Sequence, residues 1–333
     1  MILVDVDSAS LARVRLTPSP AYELIGWLML AAQGRRHPVF GDPGPAARTA
    51  LRDPRTALVA AVLPQAGRGY IPDLLTPQPP AGRRSRLLEA QLDAVAATPS
   101  GVVAQQLEWC AAERELPGEA RAAVRAGTFA TRVAEGMRAF WRATLADGWS
   151  ALHGTLDADI RARSHRLAEY GVGDVLASLH GDLRWAGGRL EVRKPYRERL
   201  ALRDDELVLA PSALRWPALS VQICAPGNAV LCYPADGVGA DGVGAGAPAA
   251  GAAAGHRRRR AVSALLGTTR GVLLCDLGEA RSTGDLSTRH GLAPATVSHH
   301  LGVLLRAGLV HRTRDGRVVR YQRSARGDVL VGD

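Results

Sequence analysis

Lysine is nearly missing from this chain: of 42 Lys and Arg residues only Lys194 is lysine. So strong a skew reads as the coding bias of a GC-rich genome, and it makes an arginine at any single position weak testimony of function. The four cysteines (Cys110, Cys224, Cys232, Cys275) stand in no tight spacing. That excludes a disulfide-stapled secreted scaffold and suits a reducing compartment, with the thiols read as buried structural groups. No apolar run approaches the roughly 18 residues of a membrane span; the longest, 24–32, is half of that. The opening MILVDVDSAS has acids and no basic stretch, unlike a signal peptide. These absences lead to the expectation of a soluble cytoplasmic protein, with no membrane partner. Also missing are GxxxxGK[ST], a GxGxxG after a strand, GxSxG and HExxH. The chain is therefore expected not to be an enzyme, with no catalytic residues, no cofactor and no metal.

What is present divides unevenly. A chain of 333 residues, 47% hydrophobic, has room for two domains. Its net charge is +10, yet the stretch from His256 onward holds 14 Arg against 6 Asp and Glu, a net +8. Such asymmetry points to a polyanion as the partner of the last quarter. Between the two parts lies ADGVGADGVGAGAPAAGAAAG, a tandem pentapeptide followed by Ala, Gly and Pro alone. With nothing to bury, it is expected to be a flexible linker over 235–256, leaving domains at 1–234 and 257–333.

The large part reads as a helical body ending in a small sheet. LARVRLT (11–17) alternates like a strand. Ser19-Pro20 starts a helix to about 33, and more helices are expected near 46–63 and 85–97. Phe129, Val133, Met137, Trp141, Leu145 and Trp149 recur every four residues and mark one apolar face, in a helical pattern reaching about 169. Strands follow: LRW and RLEV around Gly187-Gly188, then LVLA (207–210), LSVQI (219–223) and AVLCY (229–233). His153 and Asp157 read as a surface pair rather than a metal site, and Asp159 and Arg163 as an ordinary helix ion pair. Aromatic-rich cavities bind small molecules, so Phe140, Trp141 and Trp149 are weak ligand-site candidates, for an effector or for the enzyme that is the alternative reading of 1–234.

The small part is expected to hold four helices. The first is the basic RRRRAVSALLG (257–267), and the second is TTRGVLLCDLG, stopped by Gly278. The third follows Ser282 as N-cap, with Asp285 in its first turn. The fourth is 294–307, reached by a short glycine turn, the helix-turn-helix pattern. On a wheel of about 100° per residue, Val297, Leu301, Leu304 and Leu305 form its core side. Ala295, His299 and Arg306 point the other way, flanked by Thr296 and Ser298. Small, hydroxyl and imidazole groups suit a major groove, so His300 joins Ala295, Thr296, Ser298, His299 and Arg306 as DNA-contact candidates. Next comes a basic wing over 309–322, with the hairpin HRTRDGRVVRYQ (311–322) bearing Arg312, Arg314, Arg317 and Arg320. With Asp315-Gly316 as its turn, Arg314 and Arg317 would face each other, a repulsion that phosphates relieve. His299 alone reads equally well as an exposed polar residue, and the hairpin alone as a solvated one. Their order along the chain, together with the charge asymmetry, favours double-stranded DNA.

The run TVSHHLGVLLRAGLVHRTRDGRVVRYQ resembles the recognition helix and wing of ArsR-type winged-helix regulators, over roughly 260–323. The whole chain resembles larger ArsR-like regulators with an uncharacterised N-terminal domain, where LVLAPSALRWP (207–217) is the most suggestive stretch. The resemblance implies a winged helix-turn-helix transcriptional regulator, repressor or activator, and a homodimer is expected because one such module contacts too little DNA for tight specific binding. It departs from metal-sensing relatives: STGDL has no Cys-x-Cys, and the tail after Gln322 reads as too short and glycine-broken for a C-terminal helix. Pairing is therefore expected to rest on residues 1–234. The fold class expected is α+β, mainly helical.

Overall fold

The structure, a computed structural model, describes residues 1–65, 69–82, 86–194, 196–224, 227–236, 238, 262, 265–290, 292–315 and 318–331. Its internal contacts divide it into two units, 1–34 with 43–236 and 35–42 with 237–333. The first two residues of the expected linker belong to the first unit; the Ala235 amide donates to the Ser212 carbonyl (2.9 Å). Nearly all the rest of that linker, and most of the basic helix expected at 257–267, lie outside the described residues.

In the first unit β1 (Ile2–Val6) precedes α1 (Ser8–Ala12) and β2 (Val14–Leu16). A helix thus replaces the front of the strand expected at 11–17. Asp7 starts it, its Oδ1 accepting from the Ser10 amide at 2.8 Å. α2 (Pro20–Ala32) begins where Ser19-Pro20 dictates. α3 (Gly44–Ala50), α4 (Pro54–Ala61), α5 (Leu87–Ala96), α6 (Ser100–Glu113) and α7 (Gly118–Arg125) pack around α8 (Phe129–Thr144). Phe129, Val133, Met137 and Trp141 are its buried stripe. Gly136 lets α4 cross close by: a Cβ there would lie 2.2 Å from the Arg55 carbonyl oxygen. The Thr56 hydroxyl donates to the Gly136 carbonyl in the same crossing (3.2 Å). The stripe does not continue in one helix. The chain turns at Asp147-Gly148, a turn dipeptide, and α9 (Trp149–Tyr170) starts afresh, followed by α10 (Val172–Ser178).

One terminal sheet was expected, and there are two, each taking a strand from the first sixteen residues. β3 (Leu183–Ala186) and β4 (Arg189–Val192) turn through Gly187-Gly188, both at positive φ (54° and 84°) as a type I′ turn needs. β1 pairs antiparallel with β4 and parallel with β5 (Glu198–Leu202), giving the order β3-β4-β1-β5. The second sheet runs β2-β6-β8-β7, built from β6 (Leu207–Ser212), β7 (Ser220–Ile223) and β8 (Ala229–Pro234). There β2, β6 and β8 are parallel, and β7 is antiparallel to β8. All six residues of β6 are buried. Leu207 and Leu209 join β1 and α10 in one core cluster, while Val208 and Ala210 meet Tyr22 of α2 in another. A strand covered on both faces must be apolar throughout, which is why LVLA does not alternate.

Glu23 and Asp159 are buried acids that interrupt these cores. Glu23 of α2 is wholly buried, and its carboxylate accepts from the amides of Ala213 (3.2 Å) and Leu214 (2.7 Å). Burial pushes its pKa up to about 7, against the pull of the Ser212 hydroxyl and those amides. Gly26, one turn on, leaves room for Arg215, so this helix face reads the 212–217 stretch, whose Trp216-Pro217 bond is cis. Asp159 and Arg163 form the helix ion pair expected, but a buried one, 3% and 5% exposed. Asp159 accepts from the Tyr233 hydroxyl (2.7 Å) and the Asp236 amide (2.8 Å), and Arg163 donates to Asp159 (3.1 Å) and Asp236 (3.0 Å). This network pins the end of β8.

The second unit contains α11 (Thr268–Asp276), β9 (Arg281–Ser282), α12 (Thr283–His290), α13 (Pro294–Arg306), β10 (Val310–Asp315), β11 (Val318–Arg323) and α14 (Ala325–Val331). Its sheet runs β10-β11-β9. Leu273, Leu274, Leu277, Leu286, Val297, Leu301, Leu304 and Val310 make its core. α14 corrects the expectation that the tail is too short and glycine-broken to be helical. Gly327 is what seats it, since a Cβ there would lie 2.2 Å from the Leu309 carbonyl oxygen, and the Ser324 hydroxyl accepts from the Gly327 amide (3.2 Å). Gly278, read as a helix stop, follows the Leu277 cap at the end of α11 and also makes space for Arg323. Residues 35–42 form a tight loop within this unit. His37 and Gly41 exchange backbone bonds (2.7 and 2.9 Å), and His37 Nδ1 accepts from the amides of Val39 and Phe40 (both 3.1 Å).

Candidate nucleic-acid interface

α12 starts with a reciprocal cap. The Ser282 hydroxyl accepts from the Asp285 amide (3.1 Å), and the Asp285 carboxylate accepts from the Ser282 amide (2.9 Å). This is a capping box with Asp in the place usually held by Glu or Gln, and the hydrogen bonds to Ser282 hold the Asp285 pKa down. α13 has no such start, because Ala293 makes no side-chain cap bond and Pro294 alone sets the first turn. Its core side is the one the wheel gives: Val297, Leu301 and Leu304 are buried, and Leu305 is partly so. Ala295, Thr296, Ser298, His299 and Arg306 are exposed. Gly302 opens a path along which Arg306 lies back on the helix, its Nη1 3.6 Å from where a Cβ would stand. The exposed strip is shallow at Ala295, hydroxylated beside it and flanked by an imidazole, which suits contact with base edges.

His300 sits differently from its neighbours. It is half-buried, with its ring 5.4 Å from that of His299. Burial first, then nearby Arg270 and His299, hold its pKa below the usual imidazole range. His300 thus lies between the core and the exposed strip.

The wing departs from its expected register. Arg314 pairs with Val319 and Asp315 with Val318, so Asp315 is a strand residue and not part of the turn expected at Asp315-Gly316. Arg314 and Arg317 are therefore not opposed, and the repulsion argued from that pairing does not arise. Arg317 itself lies outside the described residues. Arg312 and Arg314 are exposed on one face of the hairpin, and Arg312 pairs with Tyr321. Arg320 pairs with Thr313, half-buried, 3.9 Å from the Asp285 carboxylate.

A capped helix, a turn, a second helix with a shallow polar face and a three-stranded wing follow in that order, and the comparisons agree with the geometry. Residues 272–312 match the family model described as bacterial regulatory protein, arsR family. The C-terminal unit carries an ArsR-family DNA-binding domain. Residues 117–239 match a family of unknown function, DUF5937. The pair fits an ArsR-type regulator with an uncharacterised N-terminal domain. No curated protein and no solved structure matches the chain.

The main electrostatic joint of this ArsR-family domain involves none of the candidate residues. The Asp276 carboxylate at the end of α11 lies 2.8 Å from His290 Nε2, 2.7 Å from Arg289 Nε and 3.6 Å from Arg281 Nε. Burial resists ionisation there, but the hydrogen bond and the nearby charges of His290, Arg289 and Arg281 win and hold its pKa below the usual range. The joint ties α11 to α12. Asp276 and His290 are fourteen residues apart, a spacing with no periodic signature, so no local pattern reveals them.

The candidates in the first unit are not brought into a site. Phe140 is wholly buried and Trp141 nearly so, and Trp141 meets Trp149 edge-on with ring centroids 4.8 Å apart. They are core. His153 Nδ1 and Asp157 lie 3.3 Å apart, both partly exposed. Among the described residues no group of three or more His, Cys, Asp or Glu could hold a metal ion, and no helix is long and apolar enough to cross a membrane. Cys110 and Cys232 are buried, whereas Cys224 and Cys275, expected in cores, are only partly so.

Proposed function

We propose that this protein is a transcriptional regulator that places α13 in a major groove and lays the β10–β11 wing along the phosphate backbone. The observation that carries this reading is the division of α13: Val297, Leu301 and Leu304 fix it from below, while Ala295, Thr296, Ser298 and His299 are left outward with no helix or strand over them among the described residues. Base edges carry sequence and phosphates do not, so the helix supplies specificity and the wing supplies affinity. In this reading the protein acts as a cytoplasmic repressor, responsive to a small molecule, and catalysis is no part of it. It works as a homodimer paired mainly through the first unit, because a single module buries only about 600–1,000 Å² on DNA.

The test is fluorescence anisotropy of the full-length protein on duplexes selected from a random pool. Binding should weaken steeply between about 50 and 200 mM salt. His299→Ala should reduce discrimination between selected and random duplexes by about 1–3 kcal/mol. Arg312→Ala should weaken both alike. Salt-insensitive binding, or selectivity carried by Arg312 and not by His299, would sink the proposal.

A further inference from the structure

The second unit has a half-open cavity of about 170 Å³ that the DNA-reading strip does not use. Pro38, Val39 and Val272 form its apolar walls, and Arg36, Arg289 and His290 its polar ones, with Asp276 at its edge. An interior space of about 150 Å³ accepts one benzene ring, so this cavity suits a molecule of one ring or a short chain.

The charges decide the sign of the ligand. Asp276 is already engaged by His290, Arg289 and Arg281. Arg36 is exposed and makes no ion pair or hydrogen bond among the described residues. Arg36 and Arg289 against Asp276 leave one net positive charge, which favours an anion over a cation. A second observation points to an occupant. The His290 side chain is 7% exposed, and its Nδ1 is buried with no hydrogen-bond partner among the described residues. A buried polar atom left unmatched is costly, and with Nε2 on Asp276 the Nδ1 of the protonated ring is a donor that a ligand carboxylate oxygen could meet. The wall is also preorganised, which lowers the ordering cost of binding. His37 Nδ1 holds the 37–41 turn through two amides, and the Arg35 guanidinium donates to the Thr288 carbonyl (3.0 Å).

We infer that this cavity binds a small organic carboxylate, with its carboxylate on Arg36 and its body against Val39 and Val272. The ligand would rest on the Asp276–Arg289–His290 joint that sets α11 against α12. Occupancy would therefore bear on how the two-helix motif is held. The inference concerns binding alone and stands whether or not the proposed DNA reading is correct.

Acetate, propionate and benzoate serve as probes, with benzamide as the uncharged match for benzoate. Each is titrated into the full-length protein at constant ionic strength and followed by ligand-observed NMR. At least one carboxylate should bind saturably, with a Kd of about 1 mM or below, and benzamide should bind at least about tenfold more weakly than benzoate where benzoate binds. Arg36→Gln, a change at an exposed side chain, should cost about tenfold in affinity while leaving the circular dichroism spectrum and melting temperature unchanged. No saturable binding by about 20 mM of any carboxylate, benzamide as good as benzoate, or full affinity in Arg36→Gln would overturn it.

Discussion

Glu23 should make the first unit less stable as pH rises through neutrality. An ordinary glutamate titrates near 4.5, and this one, fully buried, titrates near 7. Between those values the folded chain keeps a proton that the unfolded chain has released. The folded state binds more protons there, so unfolding free energy falls with pH across the window and is flat above it with respect to this group. At about 1.4 kcal/mol per pH unit the whole effect is about 3 kcal/mol. Glu23→Gln removes the proton exchange while keeping an oxygen that can accept from the Leu214 amide. The difference in stability between wild type and variant should therefore change by about 3 kcal/mol between pH 4.5 and pH 7.5, in favour of the variant at the higher pH. All six tryptophans lie in the first unit. Urea unfolding followed by tryptophan fluorescence thus reports that unit without interference from the other. Asp73 and Asp159, also raised by burial, add slopes of the same sign, but they cancel in the comparison. Parallel pH profiles for the two proteins would refute the reasoning. They would mean that the amides of Ala213 and Leu214 outweigh the cost of burial and keep the carboxylate ionised in the fold.

Gly136→Ala should cost at least about 3 kcal/mol, because its Cβ would fall 2.2 Å from the Arg55 carbonyl oxygen, backbone against backbone; near-native urea unfolding would contradict that crossing. Asp276→Ala should destabilise the second unit by roughly 2 kcal/mol through the cations left at the α11–α12 joint, read as an earlier far-UV circular dichroism melt of that unit, and an unchanged melt would show the joint to be idle. Zinc or arsenite at low micromolar levels should not release DNA, since no described cluster offers several ligands; release abolished by Cys275→Ser would show otherwise. Light scattering should find the full chain dimeric and the fragment 257–333 largely monomeric. A fragment that pairs as tightly as the whole would transfer the interface to the second unit, where α14 now offers a helix.

Local chemistry was the legible part. Ser19-Pro20, the Ser282–Asp285 cap and the core side of α13 are each fixed by residues within a turn or two of one another, and these elements begin and face as expected. The exposed candidates of α13 followed from the same periodicity. The misses share a cause in distance or degeneracy. β1 and β2 find their partners nearly two hundred residues away, so nothing nearby marks ILVDV as a sheet strand. The wing slipped by two residues, a shift that returns every side chain to the same face and that alternation alone cannot detect. Asp159 and Arg163 have the spacing of a solvent-side pair, and only Tyr233 and Asp236, brought in by β8, bury them. Gly327 looked like a helix breaker because its closeness to Leu309 is invisible along the chain.

The pairing of Ile2 with Glu198 and of Val14 with Leu207 has a consequence for synthesis. Ribosomes add about 5–20 residues per second. The first strand therefore emerges roughly 10–40 seconds before the strands it must join exist. Throughout that interval ILVDV is an apolar segment with open edges, available to chaperones and to neighbouring nascent chains. The helices from α2 to α9 can assemble meanwhile from local contacts, but both sheets must wait for the last strands to leave the exit tunnel. A ribosome stalled before residue 198 would hold a helical body with two unpaired ends, and slowing translation should lengthen the time during which the chain aggregates.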